Sequence, residues 1–477
     1  MQNGKNGWRE MFAGGNGLAA AVLVGGVGLQ AIETFIGSTL LPSVVRDIGG
    51  IDLFAWNTTL FIVASILASV FAAVRPFGIG PRGNYLLAAA GFGVGSLICG
   101  LAPSMEVMLA GRVVQGFGAG LLTAMSYGMI RVVFPQHLWS RAFALISSVW
   151  GVATLVGPAI GGVFATLDAW RWAFLLLAPL SAMLALLAFR ALPRSSGESG
   201  MQSVPVPQIL LLTGAVIGIS VASILTEDAV LPMVLIGLAL LAVVVLAAVD
   251  RRARARLFPR GTFTLGSGLA PLFAAMLLIN AAIISDMFVP LFLQLLHGQM
   301  PLVAGYMVAL VAVGWSSGSM ITSSWTGSKA RLALAIGPVL QTVAAAGLAF
   351  FVGRDNTAGA LLPLVPVCLS LLVLGLGIGT AWPQVSARLL QAAPDGERDL
   401  TSASISMVQL FAAGLGAAVA GVIVNAAGLA SGNSVAAALN AANWLYGLFI
   451  LVPLVAVPIA WAIVRGDGPE AVEQPAE

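Results

Sequence analysis

Apolar residues along this chain gather into long runs parted by short polar stretches. A helix that crosses a bilayer needs about 20 mainly apolar residues, and on that criterion the pattern predicts fourteen spans. Six lie near 17–42, 55–76, 85–102, 107–133, 141–166 and 171–190. A linker rich in Ser, Gly and Pro follows at 191–207, then two compact runs at 208–226 and 230–249 joined through Thr226, Glu227 and Asp228. Six more lie near 266–296, 302–326, 331–352, 358–390, 401–428 and 442–464. The order is six plus two plus six. The domains therefore read as a tail at 1–16, a bundle at 17–190, the linker, an inserted helix pair at 208–249, a basic loop at 250–265, a second bundle at 266–464 and a tail at 465–477.

Composition agrees with the pattern. Hydrophobic residues make up 59% of the chain and charged residues 9%, with a mean hydropathy of +0.99, whereas a soluble domain carries about 25% charged residues. The fold class expected is an all-α integral membrane protein. The 56 Gly and 24 Pro do not signal disorder, because both are frequent in membrane helices. Cys99 and Cys368 each lie inside an apolar run, so no disulfide framework is expected. The run from Gly17 to Pro42 is too long for a signal-peptide core and reads as a retained first helix.

Charge then sets orientation. An even number of spans puts both termini on one side, and basic residues favour the cytoplasmic side. Lys5, Arg9, Arg75, Arg82, Arg131, Arg141, Arg190, Arg194 and the cluster Arg251, Arg252, Arg254, Arg256 and Arg260 share the side of the termini. Arg46, Arg171 and Arg354 fall opposite, and Arg112 lies within a span. Both termini are expected in the cytoplasm. The pI near 9.2 thus reflects topology and contact with anionic lipid rather than nucleic acid.

An internal repeat supports two halves. A constant offset of 259 carries Gly116, Gly118 and Gly120 onto Gly375, Gly377 and Gly379, Pro135 onto Pro394, Gly157 onto Gly416 and Gly162 onto Gly421. The string Glu33-Thr-Phe-Ile aligns with Asp286-Met-Phe-Val at an offset of 253. Span one thus corresponds to span nine, and spans seven and eight are an insertion.

These two acids carry the candidate chemistry. A carboxylate deep in a hydrocarbon layer costs at least ~2.5 kcal/mol, and transporters built from repeated halves place their sites where the halves meet. Glu33 and Asp286 are expected to face a shared cavity and carry protons; the alternative for each is a buried acid held by a neighbour for packing alone. Arg112, about five residues or ~8 Å inside its span, and Glu33, about nine residues or ~13 Å inside its own, are at compatible depths. Gln115 falls on the same helix face as Arg112. Arg112 reads either as a fixed ion-pair partner or as a cation that competes with the proton. Candidate cavity residues are Gln30, Gln115, Trp150, Asn280, Tyr306, Trp382 and Gln409, with Gln294, Trp315 and Gln384 beside them, since a small-molecule pocket needs apolar and aromatic walls with few polar points. His137 and His297 fall at span ends and are poor proton carriers or metal ligands. No nucleotide-binding Gly-Lys-Ser/Thr loop occurs, so ATP is not the expected energy source. No cofactor and no metal is expected.

The run Gly157-Pro158-Ala159-Ile160-Gly161-Gly162 reads as tight helix packing or as a pivot, since Pro removes a helix hydrogen bond and small residues admit a neighbouring backbone. Here the sequence resembles the fourteen-span drug/proton antiporters of the major facilitator superfamily. Ile32-Glu33-Thr34-Phe35-Ile36-Gly37-Ser38-Thr39-Leu40-Leu41-Pro42 resembles the first-helix motif, with Glu where the family usually has Asp. Gly111-Arg112-Val113-Val114-Gln115-Gly116 resembles the fourth-helix motif, Gly157-Pro158 with Gly161-Gly162 the antiporter motif of the fifth, and Arg256-Leu257-Phe258 a feature of that branch. Between spans two and three the family carries Gly, Asp and basic residues that latch the halves. Gly80 and Arg82 match, but Phe77 occupies the Asp position.

The resemblance implies a secondary transporter, not an enzyme, that exports small amphiphilic organic compounds in exchange for protons by alternating access. The alternative is an uptake permease or proton symporter for a vitamin, siderophore or other metabolite. The expected setting is a multi-pass monomer in the cell (inner) membrane.

Overall fold

The protein is described by a computed structural model, which covers residues 3–13, 15–49, 53–74, 80–193, 205–225, 230–264, 266–429 and 435–466. Within them the regular structure is helical. In chain order the helices are α1 (Asn3–Phe12), α2 (Gly15–Ile48), α3 (Phe54–Val74), α4 (Pro81–Gly100), α5 (Met105–Val133), α6 (Trp139–Thr166), α7 (Trp170–Ala191), α8 (Val206–Ile224) and α9 (Val230–Arg252). Then come α10 (Leu269–Ile283), α11 (Val289–His297), α12 (Pro301–Thr322), α13 (Gly327–Phe351), α14 (Leu364–Gln391), α15 (Arg398–Ala426), α16 (Val435–Phe449) and α17 (Leu451–Gly466). Eleven helices among the described residues are long and apolar enough to cross a membrane, and Trp56–Ser69 and Val206–Ile219 are shorter apolar helices.

Every predicted run overlaps a helix, and the differences have local causes. The predicted N-terminal tail holds α1, which Asn16 Nδ2 ties back to the Glu10 carbonyl. The run placed at 358–390 begins only at Leu364, because Asn356, bonded to the Ala360 backbone through both ends of its amide, turns the preceding segment. The predicted ninth span is interrupted by a 3-10 turn at Ile284–Phe288 between α10 and α11. Pro290, at the start of α11, has no backbone N–H to continue the ladder of α10.

The chain divides into two compact units. One comprises Met1–Ile217, Ala239–Arg260 and Pro394–Leu410, the other Gly218–Leu238, Gly261–Ala393 and Phe411–Glu477. In the first, α5 packs on α3 and α4, α2 on α6, and α4 on α7. In the second, α14 packs on α12 and α13, and α17 on α10 and α13.

The glycine repeat is a packing repeat. A Cβ at Gly116 or Gly120 on α5 would collide with the Phe61 or Ser65 carbonyl oxygen on α3, and one at Gly118 with the Phe92 backbone nitrogen on α4. On α14, Gly375 and Gly379 meet the Val311 and Trp315 carbonyls of α12, while Gly377 meets the Gly337 carbonyl of α13 at 2.7 Å. In each unit the outer two glycines face one helix and the middle glycine faces another. Small residues let backbones approach where lipid gives no hydrophobic drive for association. Ser65 Oγ uses that approach to donate to the Gly116 carbonyl at 2.9 Å.

Candidate functional site

Glu33 lies near the middle of α2 and is fully buried; Arg112, on α5, is 2% exposed. Arg112 Nη1 donates to Glu33 Oε1 in a short ion-paired bond. The same nitrogen donates to Gln115 Oε1 at 2.8 Å, one turn along α5. Gln115 Nε2 in turn donates to Ser96 Oγ on α4 at 2.9 Å. Arg112 Nε donates to the Asn57 carbonyl of α3 at 3.1 Å, and the guanidinium lies 4.3 Å from the centre of the Phe61 ring. Such a stack is favourable, and more so when the cation is desolvated. Gly37 makes room for the pair, since a Cβ there would sit 3.1 Å from Glu33 Oε1.

Four helices thus close around one ion pair, and Gln115, Ser96 and Asn57 are buried with it. Glu33 Oε2 and Asn57 Oδ1 have no hydrogen-bond partner among the described residues. Charges taken out of water need good geometry and extra hydrogen bonds to offset desolvation. Arg112 is richly supplied and Glu33 is not. The arrangement offers a carboxylate with one oxygen free to take a proton and a cation with alternative acceptors ready if it lets go.

Glu33, Arg112 and Gln115 come together, as their depths in α2 and α5 predict. Asn57, Ser96 and Phe61 join them without having been expected, although Asn57 and Ser96 are visible as polar positions in apolar helices. Further along α2 and α5, Gln30 accepts a short hydrogen bond from Thr123 Oγ1.

Asp286 belongs to the second unit and sits in the 3-10 turn, half-buried, with no ion pair reaching it among the described residues. The Tyr446 phenol of α16, in the same unit, is buried and has no hydrogen-bond partner among the described residues. The two acids that match in sequence therefore differ in setting. One is paired within a continuous helix, and the other, among the described residues, is unpaired at a break.

The other candidates divide by environment. Trp382 on α14 is fully buried and packs edge-on against Trp315 of α12, with ring centres 6.3 Å apart. Both indole N–H groups, and that of Trp150 on α6, are buried without an acceptor among the described residues. Gln384 donates to the Thr322 carbonyl at 2.8 Å, and Asn280 folds back on the Met276 carbonyl of its own helix at 2.7 Å. Gln409 is half-buried, Gln294 is exposed, and Tyr306 is 50% exposed near the start of α12. The last position suits an interfacial aromatic.

Gly157 and Gly161 seat α6 on α2, against Phe35 and Thr39, and Gly416 seats α15 on Ile284 in the same way. Gly162 and its repeat counterpart Gly421 face open space. Pro158 lies within α6. Gly80 caps α4, and Arg82 stacks 3.8 Å over the Phe189 ring of α7. Phe77 lies outside the described residues.

A second charge cluster closes the far end of α2. Asp47 accepts from Trp170 Nε1 at 3.0 Å and from Arg171 in a short ion-paired bond, while Arg171 Nη2 reaches the Ala102 carbonyl at 3.2 Å. The Arg171 and Trp170 hydrogen bonds hold the Asp47 carboxyl below its usual range.

The family model for the Major Facilitator Superfamily matches residues 22–417. A probable multidrug-efflux transporter of Mycobacterium tuberculosis is 39% identical over 469 residues, covering 96% of this chain and 97% of the relative. Multidrug resistance protein 3 of Bacillus subtilis is 23% identical over 418 residues, covering 83% of this chain and 77% of that protein. Among solved structures, the human organic anion transporter MFSD10 superposes with a TM-score of 0.68 at 14% identity, covering 93% of this chain and 99% of that one. The proton:xylose symporter XylE superposes with a TM-score of 0.63 at 15% identity, covering 94% and 95%.

Proposed function

The chain belongs to the major facilitator superfamily, and on that premise we propose that it is a proton-coupled antiporter that exports small amphiphilic organic compounds by alternating access. The observation that carries the reading is the sealed Glu33–Arg112 pair with Glu33 Oε2 left without a partner. Protonation of Glu33 removes the charge that Arg112 holds, and Gln115 and the Asn57 carbonyl keep the guanidinium solvated meanwhile. Proton loading and helix rearrangement are then two sides of one step. The efflux names carried by relatives that span nearly the whole chain support export of drug-like compounds.

In this reading Asp286 is a second proton site. Gln30, Gln115, Trp150, Asn280, Tyr306, Trp382 and Gln409 contact substrate in one or another state. Gly157, Pro158, Gly161 and Gly162 form the pivot of α6, and Gly80 with Arg82 acts in cytoplasmic gating. The topology is fourteen spans, with bundles at 17–190 and 266–464, an inserted pair at 208–249, and both termini in the cytoplasm of a cell whose inner membrane holds the monomer. Membership of a transporter family accords with the expectation that the chain is not an enzyme.

Reconstitution in vesicles with an imposed pH gradient tests the proposal. A lipophilic dye substrate should move against the proton flow in wild type and stall in Glu33→Gln. Undiminished gradient-driven transport in both Glu33→Gln and Asp286→Asn removes the acids from coupling, and movement of the dye with the protons replaces export by symport.

A further inference from the structure

The loop after α9 is built as a clip. Asp250, near the end of α9, is 2% exposed and turns its carboxylate back on the chain, accepting from the Leu257 N–H at 2.6 Å and the Phe258 N–H at 3.3 Å. Gln208 of α8 donates to the Ala255 carbonyl at 2.8 Å. Arg256 bonds the Ala253 and Arg251 carbonyls at 3.2 and 3.3 Å. Leu257 and Phe258 are buried. The far end fastens to α15: Ser404 Oγ donates to the Leu257 carbonyl at 3.3 Å, and Glu397 accepts from the Arg260 N–H at 2.6 Å and pairs with Arg260 Nε at 3.2 Å.

With its backbone held and its single acid engaged inward, the clip presents Arg251, Arg252 and Arg254 outward. All three are exposed, and among the described residues none has an ion-pair partner. They stand where a span-length apolar helix, Val230–Arg252, ends. That is the depth of lipid headgroups, and arginine is suited to phosphate. A mere solvated loop needs neither the buried aspartate nor the fastening to α15.

We propose that Arg251, Arg252 and Arg254 bind the phosphate of an anionic lipid headgroup, and that the clip carries occupancy of this site to the start of α15. The inference does not depend on what the protein transports. Hydrogen exchange of the full chain in nanodiscs tests it, comparing phosphatidylcholine with mixtures containing phosphatidylglycerol. Backbone amides at 398–404 should exchange more slowly as phosphatidylglycerol is added. The fraction needed for half-maximal protection should rise about fivefold for each arginine replaced by Gln, while the triple Arg→Lys variant stays close to wild type. Glu397→Ala, which removes both contacts to Arg260, should bind the lipid but lose the protection. Equal protection in the triple Arg→Gln variant overturns the site. Equal protection from soluble glycerol phosphate in phosphatidylcholine discs overturns the lipid as its source, and full protection in Glu397→Ala overturns transmission through the clip.

Discussion

One nitrogen of Arg112 serves both Glu33 and Gln115, while the second oxygen of Glu33 meets no donor among the described residues. The cation is therefore better provided for than the anion. This asymmetry favours the acid as the member whose charge changes, because a neutral Glu33 leaves no stranded group except a guanidinium that already has other acceptors.

Replacing Arg112 by Leu should cost about 3–5 kcal/mol, the usual penalty for leaving a buried charge without its partner. Glu33→Gln should cost less, and the double variant Glu33→Gln/Arg112→Leu should recover much of the loss. Unfolding in detergent across this cycle gives the coupling directly. Additive effects would show that the two charges act separately.

Gly120→Ala and Gly375→Ala should each destabilise by about 1–3 kcal/mol, since the added methyl group meets a neighbouring carbonyl that belongs to a helix backbone. Gly162→Ala and Gly421→Ala point into open space and should be neutral or stabilising by about 0.5–1 kcal/mol, the ordinary gain for Gly to Ala in a helix. Melting of the four variants side by side checks the contrast. If Gly162→Ala nevertheless slows transport, its role lies in a conformation other than this one.

Trp382→Phe keeps an aromatic ring at this buried position and removes an N–H that has no acceptor among the described residues. Relief of an unsatisfied buried donor, worth about 1–3 kcal/mol, opposes the cavity that the smaller ring leaves, so the net change in stability should be small. Export of a substrate bearing a carbonyl or carboxylate should fall if that N–H is a substrate contact. Unchanged efflux assigns Trp382 to packing.

Asp47 ties α2 to α7 through Arg171 and Trp170. Its carboxyl is held below the usual value of 3.8, so its contribution is complete above that pH and is lost as pH falls through the lowered value. Asp47→Asn should therefore loosen the end of α2 at neutral pH, and the wild type should approach the variant only in strong acid. The pair is exposed, so the stability change should be small. Hydrogen exchange at 45–48 against pH reads it.

Much of this was legible in the chain. Length and hydropathy marked the helices because a bilayer demands long apolar segments, and depth counting brought Arg112 to Glu33 because helix rise is fixed. The glycine offset marks one half as a repeat of the other. Which neighbour each glycine touches was not legible, since spacing along one helix does not say which helix lies opposite. Asn57 and Ser96 escaped for the same reason: a polar residue in an apolar run announces that it needs a partner without naming it. Asp286 matches Glu33 in its local string, but local similarity does not carry the cation, which comes from a distant helix. The break at 284–288 was foreshadowed only by Pro290.

The glycine triads also bear on how such a protein moves. Helices usually slide past each other by small adjustments of the side chains between them. Where backbone rests on backbone, as along α5 and α14, that deformable layer is missing, and shear is closed off within α3–α5 and within α12–α14. Each trio should behave as a stiff lever, leaving bending to the places where hydrogen bonding is already interrupted. The 3-10 turn that holds Asp286 is one of them, so a change at that acid would act at a hinge rather than along a rod.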